Sequence, residues 1–182
     1  FDYAAGRPRG VAALLAEASR ILREWAREAG VEPPLLVAEP GRCIVASSGF
    51  LVTRVLYVKE VYGIKWAILD AGMGEFVRPA LYGARHRVSV LGGGGDVEEV
   101  WLGGPYCETS DVFGAYRLPR LREGDLLAIH DVGAYGYSMS SNYHLRPKPP
   151  EVLVTSDYEI VLIRKRAEPV RPAHPLHAST GM

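Results

Sequence analysis

Residues 35–42, LLVAEPGR, decide the fold. The run opens uniformly apolar, as a parallel strand covered on both faces does. Charge then arrives abruptly at Glu39 and Arg42, around the turn-forming Pro40 and Gly41. A carboxylate closing an apolar strand is costly unless a cation or hydrogen-bond donor meets it, so Glu39 asks for a partner. Upstream, residues 11–29 place Val11, Leu14, Leu15, Ala18, Leu22, Trp25, Ala26 and Ala29 on one helical stripe. Gly30 is suited to cap the helix C-terminus, and Pro33–Pro34 stops it. Helix, short turn, buried strand and charge at the strand's C-terminal end are α/β-barrel grammar and predict the last helix–strand unit of a (β/α)8 barrel, whose chemistry sits at the strand ends.

Beyond this unit the texture changes. Residues 43–53 read equally well as helix or strand by periodicity. From Arg54 onward, short β-like runs alternate with turn signals: 54–61, 65–72, 86–91, 97–103, 126–133 and 151–166. The last run carries a hairpin turn at Thr155–Ser156–Asp157. This predicts an antiparallel β-barrel or sandwich. The fold class is therefore α/β plus all-β. Residues 1–53 read as a barrel remnant, 54–166 as the β-domain, and 167–182 as a disordered tail without periodicity.

Bulk composition narrows the function. The chain has 182 residues, 48% hydrophobic, enough for a real core. Its 21 basic and 21 acidic side chains cancel, which argues against a nucleic-acid surface. No apolar run approaches the roughly 20 residues of a membrane span, and FDYAAGRPRG has no signal-peptide core and no initiator Met. The first residue is thus expected to lie inside a longer protein. Cys43 and Cys107 lie far apart, and His86, His130, His144, His174 and His177 form no close metal-ligand pair, so no metal site is expected. A reduced, cytoplasmic protein is the simplest reading.

Taken singly, the remaining charged motifs have plain explanations. EPGR suits a turn with a surface ion pair, and RPALY, with Arg78 and Tyr82, a turn entering a short helix. Cys107 in GPYCETSD fits a small buried hydrophobe, and Tyr135 falls in a Gly/Ser-rich loop. Gly41 permits close backbone approach, and Arg42 can fork onto a phosphate or carboxylate.

Their conjunction is more specific. EPGR, DAGM, RPALYGA, GPYCETSD and GDLLAIHDVGAYGYSMSSNY, in that order, closely resemble the C-terminal half of the diaminopimelate decarboxylases. These are alanine-racemase-like (fold type III) pyridoxal-phosphate enzymes, and the resemblance runs from about Phe1 to Arg166. It implies conversion of meso-2,6-diaminopimelate to L-lysine and carbon dioxide, with pyridoxal 5'-phosphate as electron sink. By resemblance, Glu39 meets the cofactor's ring nitrogen, Gly41 and Arg42 lie near its phosphate, and Tyr135 contacts cofactor and substrate. Arg42, Arg78 and Tyr82 match substrate-binding positions. Cys107 matches the proposed proton donor, and Glu108 the acid that meets the substrate's distal ammonium. Cys107 and Glu108 serve a neighbouring subunit in this family, which implies a homodimer.

One departure is serious. The family's Schiff-base lysine, its ring-stacking histidine and its Gly-rich phosphate loop match nothing in this chain, and Lys59, Lys65, Lys148 and Lys165 fall in β-domain segments. The chain is thus expected to be inactive without an N-terminal half of the enzyme. Two alternatives stay open: a non-catalytic β-domain kept for dimerisation or regulation, and a related fold type III decarboxylase for another diamino acid. The Cys–Glu pair favours diaminopimelate over ornithine-type substrates, whose enzymes place an aspartate after the cysteine.

Overall fold

The computed structural model describes Tyr3 and residues 10–168; most of the tail expected over 167–182 lies outside them. Helix α1 (Val11–Ala29) forms as its apolar stripe predicts, and Gly30 ends it in the left-handed conformation (φ 68°) with its N–H turned back onto the last carbonyls. The stripe is only partly covered. Ala26 is buried, while Leu14 and Trp25 remain exposed.

The strand expected at 35–39 does not form. Residues 32–40 are irregular, and Leu35 and Val37 are 89% and 73% exposed. A strand exists only by exchanging backbone hydrogen bonds with a neighbour, and no described strand pairs with this one. The ambiguous run that follows resolves first as helix α2 (Gly41–Val45), then as a 3-10 turn (Ala46–Ser48).

Among the described residues eight strands follow: β1 (Phe50–Val61), β2 (Ile64–Leu69), β3 (Val88–Leu91), β4 (Val97–Gly103), β5 (Val112–Pro119), β6 (Leu126–His130), β7 (Glu151–Val154) and β8 (Ile160–Arg164). Helix α3 (Arg78–Tyr82) sits between β2 and β3, where RPALY predicts it. Six strands make one sheet in the order β3-β6-β1-β2-β4-β5, and the two ends, β3 and β5, come back into contact, so the sheet curls into a nearly closed barrel. Strand β1 turns the corner. Its first half pairs with β6 and its second half with β2, with a bulge between Val55 and Tyr57 where it changes neighbour.

The pairing is not wholly antiparallel as expected. β2 and β4 run parallel, with Trp66, Ala67 and Ile68 opposite Trp101, Leu102 and Gly103. Parallel neighbours need a long crossover, and here it contains α3 and β3. β5 was not among the expected runs, because Gly114 and Pro119 interrupt its apolar pattern. β7 and β8 form a separate hairpin through the expected turn, with Thr155 N–H donating to Glu159 O at 3.0 Å.

The barrel interior is the core. Val55, Leu69, Phe76, Val100, Leu102, Phe113, Leu118, Leu127 and Ile129 interlock there. Leu69, Leu102, Leu127 and Ile129 have no exposed area, so each contributes about 1.5–3 kcal/mol of burial. The loops that leave this rigid barrel carry the charged motifs. Among the described residues, no helix is long and apolar enough to cross a membrane, and no group of His, Cys, Asp and Glu is placed to hold a metal ion.

Candidate functional site

Four of the site residues predicted from sequence converge on one cluster. Arg78 opens α3 and Tyr82 ends it, four residues on and hence on the same side of the helix. The Arg78 Cζ lies 5.1 Å from the Tyr82 ring centroid and 5.1 Å from that of Tyr135. Arg42, on α2, lies 5.3 Å from the same Tyr135 ring, and Tyr3 lies against both guanidinium groups at 5.8 and 5.2 Å.

The backbone explains the convergence. Val132 N–H donates to Gly49 O, and Gly133 N–H donates to Ala46 O, both at 3.0 Å. These bonds moor the Tyr135 loop to the end of α2. The approach is close enough that a Cβ on Gly49 would lie 2.6 Å from the Gly133 nitrogen. Tyr135 itself holds φ 64°, uncommon for a non-glycine residue, with its side chain 42% exposed at the cluster edge.

Arg78 is the unusual member. It is 5% exposed, yet its Nε–H has no hydrogen-bond partner among the described residues. Tyrosine faces partly stabilise a guanidinium, but they do not accept its in-plane hydrogens. Beside it, His86 is 1% exposed; its Nδ1–H donates to His130 O at 2.9 Å and its Nε2 is likewise unpartnered among the described residues. Burial, and then the Arg78 charge, push the His86 pKa down, so this ring is neutral. Among the described residues neither Arg42 nor Arg78 has an ion-pair partner, and a carboxylate or phosphate would supply one. The donor set therefore fits a phosphate- and carboxylate-bearing ligand.

Cys107 and Glu108 lie on a different loop, between β4 and β5, and both are exposed. This loop is stapled from behind. The Asp111 carboxylate, 4% exposed, accepts the Tyr106 N–H at 2.8 Å and the Met73 N–H at 2.6 Å. Burial pushes the Asp111 pKa up while these two N–H groups oppose it. Glu75 accepts the Gly72 N–H at 2.9 Å and the Tyr106 hydroxyl at 3.0 Å, and Arg146 reaches it at 3.3 Å. Burial, then Glu75, raise the Tyr106 pKa, so the phenol stays a donor. In front, Glu108 accepts a hydrogen bond from the Tyr143 hydroxyl. Glu108 also lines an open groove with Tyr57, Lys59, Trp66 and Thr109.

Gly41 is exposed at the start of α2, next to Arg42. Glu39 is exposed on the irregular segment before it; the buried setting expected for its carboxylate is not formed. Sequence reading missed His86, Glu75, Asp111, Tyr143 and Arg146. Asp111 closes the GPYCETSD motif, Tyr143 ends GDLLAIHDVGAYGYSMSSNY and Glu75 follows DAGM, so motif membership was the available signal for those three; His86 and Arg146 offered none.

This curled sheet, with arginines over tyrosines and a Cys–Glu pair on a stapled loop, is of the class of sheet domain found in pyridoxal-dependent decarboxylases. Residues 20–133 match the family model described as pyridoxal-dependent decarboxylase, C-terminal sheet domain, and the chain belongs to that family. Its curated relatives are more particular. The chain is 47% identical over 137 residues to the diaminopimelate decarboxylase of Methanocaldococcus jannaschii, covering 75% of this chain and 31% of that protein. It is 48% identical over 134 residues to that of Helicobacter pylori strain J99, covering 72% of this chain and 33% of the relative. The crystal structure of diaminopimelate decarboxylase from Helicobacter pylori complexed with L-lysine superposes with a TM-score of 0.68 at 44% identity, over 75% of this chain and 34% of that one. The chain thus spans about a third of the length of the curated relatives it matches.

Proposed function

We propose that this chain is the C-terminal portion of a pyridoxal-phosphate-dependent diaminopimelate decarboxylase, which converts meso-2,6-diaminopimelate to L-lysine and carbon dioxide. The observation that carries the reading is Arg78, a buried guanidinium whose Nε–H has no partner among the described residues, gathered with Arg42, Tyr82 and Tyr135 into one anion-ready cluster. Pyridoxal phosphate, when bound, supplies the electron sink that lets an α-carboxylate leave as carbon dioxide.

On this reading the residues divide the work. Gly41 and Arg42 would lie near the cofactor's phosphate, Glu39 would meet its ring nitrogen, and Tyr135 would touch both cofactor and substrate. Arg78, with Tyr82 and Arg42, receives the substrate's carboxylates, where bidentate pairing fixes orientation as well as charge. Glu108 receives the distal ammonium and Tyr135 contacts the substrate beside the cofactor. Cys107 hands its Sγ proton to the carbon that has lost carbon dioxide, leaving a thiolate. Exposure lets solvent return that proton. Cys107 and Glu108 sit on a loop separate from the arginine–tyrosine cluster, which suits a homodimer in which each subunit completes its neighbour's site. The reading draws its Schiff-base lysine from outside this chain.

The test is carbon dioxide release from meso-diaminopimelate by the holoenzyme containing this chain. Cys107→Ala should lower kcat by about 100-fold or more with little change in KM, as loss of a general acid does. An unchanged kcat removes Cys107 from the mechanism. No release by the unmutated holoenzyme overturns the reading and leaves a non-catalytic sheet domain or another substrate.

A further inference from the structure

We propose that Tyr143 is a specificity-determining positioning residue: its hydroxyl fixes the Glu108 carboxylate in the orientation that selects a ligand carrying a distal ammonium. The inference rests on the assignment of Glu108 given above and adds a residue to it.

A glutamate on an exposed loop is a poor specificity element by itself. Its side chain samples several rotamers, and ordering one costs about 0.5–1.5 kcal/mol when a ligand binds. Glu108 avoids much of that cost, because the Tyr143 hydroxyl donates to its Oε1 before any ligand arrives. Oε2 is left to accept from an ammonium.

The choice of donor matters. An arginine or lysine in this place would hold the carboxylate equally well, but would cancel the charge that an ammonium must find. A phenol donates one hydrogen bond and contributes no charge. The hydrogen bond to Glu108, foremost among the causes, raises the Tyr143 pKa, so the hydroxyl remains a donor.

Tyr143 is in turn fixed in place. Its ring stacks on Tyr106 with centroids 5.7 Å apart at 24°, and His144 packs against both rings at 4.5 and 5.4 Å. The backbone beyond it is bent into the left-handed region at two consecutive non-glycine residues, His144 (φ 52°) and Leu145 (φ 58°). Such a bend persists only where its surroundings impose it. Here Asn142 Nδ2 donates to Arg146 O at 3.0 Å, and Leu145 N–H donates to Asn142 O at 2.8 Å. Arg146 closes the brace by reaching Glu75, the acceptor of the Tyr106 hydroxyl, and the Asp70 carbonyl at 2.7 Å. A continuous line of contacts thus runs from the end of β2 through Arg146, Glu75, Tyr106 and Tyr143 to the tip of Glu108.

Tyr143→Phe removes the donor and keeps the stacked ring. In the holoenzyme it should raise KM for meso-diaminopimelate about three- to tenfold, the worth of about one ordinary exposed hydrogen bond, with kcat within about twofold. The same enzyme should show an unchanged KM for the analogue that lacks the distal amino group, since that ligand makes no use of Glu108. Tyr143→Leu, which also loses the stack, should raise KM for meso-diaminopimelate further. An unchanged KM in Tyr143→Phe, or an equal rise for both substrates, overturns the role of Tyr143 while leaving the assignment of Glu108 intact. If the unmutated holoenzyme does not decarboxylate meso-diaminopimelate at all, the parent reading and this inference fall together.

Discussion

Arg78 and Cys107 stand at opposite extremes of exposure, and the chain supports them by opposite means. Arg78 is 5% exposed, and its charge faces the rings of Tyr82 and Tyr135 with no carboxylate paired to it among the described residues. Its neighbourhood is built from side chains. Cys107 and Glu108 are exposed, and their loop is held from behind: Asp111 accepts the Tyr106 and Met73 N–H groups, and Glu75 accepts the Tyr106 hydroxyl. Burial preserves the strength of a cation awaiting an anion, because a low dielectric magnifies the later attraction. A loop that must reach outward cannot be buried, so it is made rigid from its inner side. Two kinds of substitution separate these strategies.

The largest effect is expected where the loop is stapled. A Cβ on Gly104 would fall 2.2 Å from Asp111 Oδ2, and the carboxylate cannot swing aside without releasing the Tyr106 and Met73 N–H groups. Gly104→Ala should therefore lower stability by about 3 kcal/mol, read as a shift of the urea midpoint at constant slope. A loss below about 1 kcal/mol would show that the carboxylate is free to move, and the staple argument would fail.

This staple marks the limit of what could be read from the sequence. Periodicity predicts α1 and its Gly30 cap, and alternation with turn signals finds most of the barrel strands and the β7–β8 hairpin. Both rest on local chemistry. The parallel β2–β4 pairing is not local, since it depends on where a long crossover returns the chain. The strand expected at 35–39 failed for the same reason, because a strand is a property of two segments and an apolar run describes only one.

The site divides similarly. Arg42, Arg78, Tyr82 and Tyr135 stood out because they sit in distinctive motifs, and the structure gathers them. Asp111 reaches Met73 across 38 positions and Arg146 reaches Glu75 across 71, and no spacing rule covers such separations. Their importance is visible only once the loops are folded together.

The buried half should respond in the reverse sense to the loop. Arg78→Met keeps most of the side-chain volume and removes a buried cation whose Nε–H is unpaired among the described residues. Replacing a buried charge by a hydrophobe of similar size is often neutral or stabilising. The urea midpoint should move by less than about 1 kcal/mol, while KM for a dicarboxylate substrate in the holoenzyme rises at least about tenfold. A large stability loss with little change in KM would make Arg78 a structural residue and erase the contrast with Gly104.

The smallest effect concerns His86, which lies against Phe76 at 4.7 Å and shares the Arg78 neighbourhood. Burial is the main cause of its lowered pKa, with the Arg78 charge adding to it; the hydrogen bond to the His130 carbonyl and the Asp131 charge act the other way. A histidine whose folded pKa is depressed stabilises fully above its unfolded value, near 6.5, and that contribution is lost as the pH falls toward the folded value. His130, whose Nε2 lies 2.8 Å from Ser89 Oγ, is shifted the same way, chiefly by burial. Asp111 is shifted upward, so its contribution is greatest in acid and declines as the pH rises through its folded value, the opposite sign. Subtraction isolates His86 from both. Between pH 7.5 and 5.5 the unmutated chain should lose more stability than His86→Gln, whose amide can still donate to the His130 carbonyl. Parallel losses in the two proteins would mean that His86 is protonated as easily folded as unfolded. The Arg78 pocket would then be wet, and its charge would not be held in the low-dielectric surroundings that distinguish it from the exposed Cys107 loop.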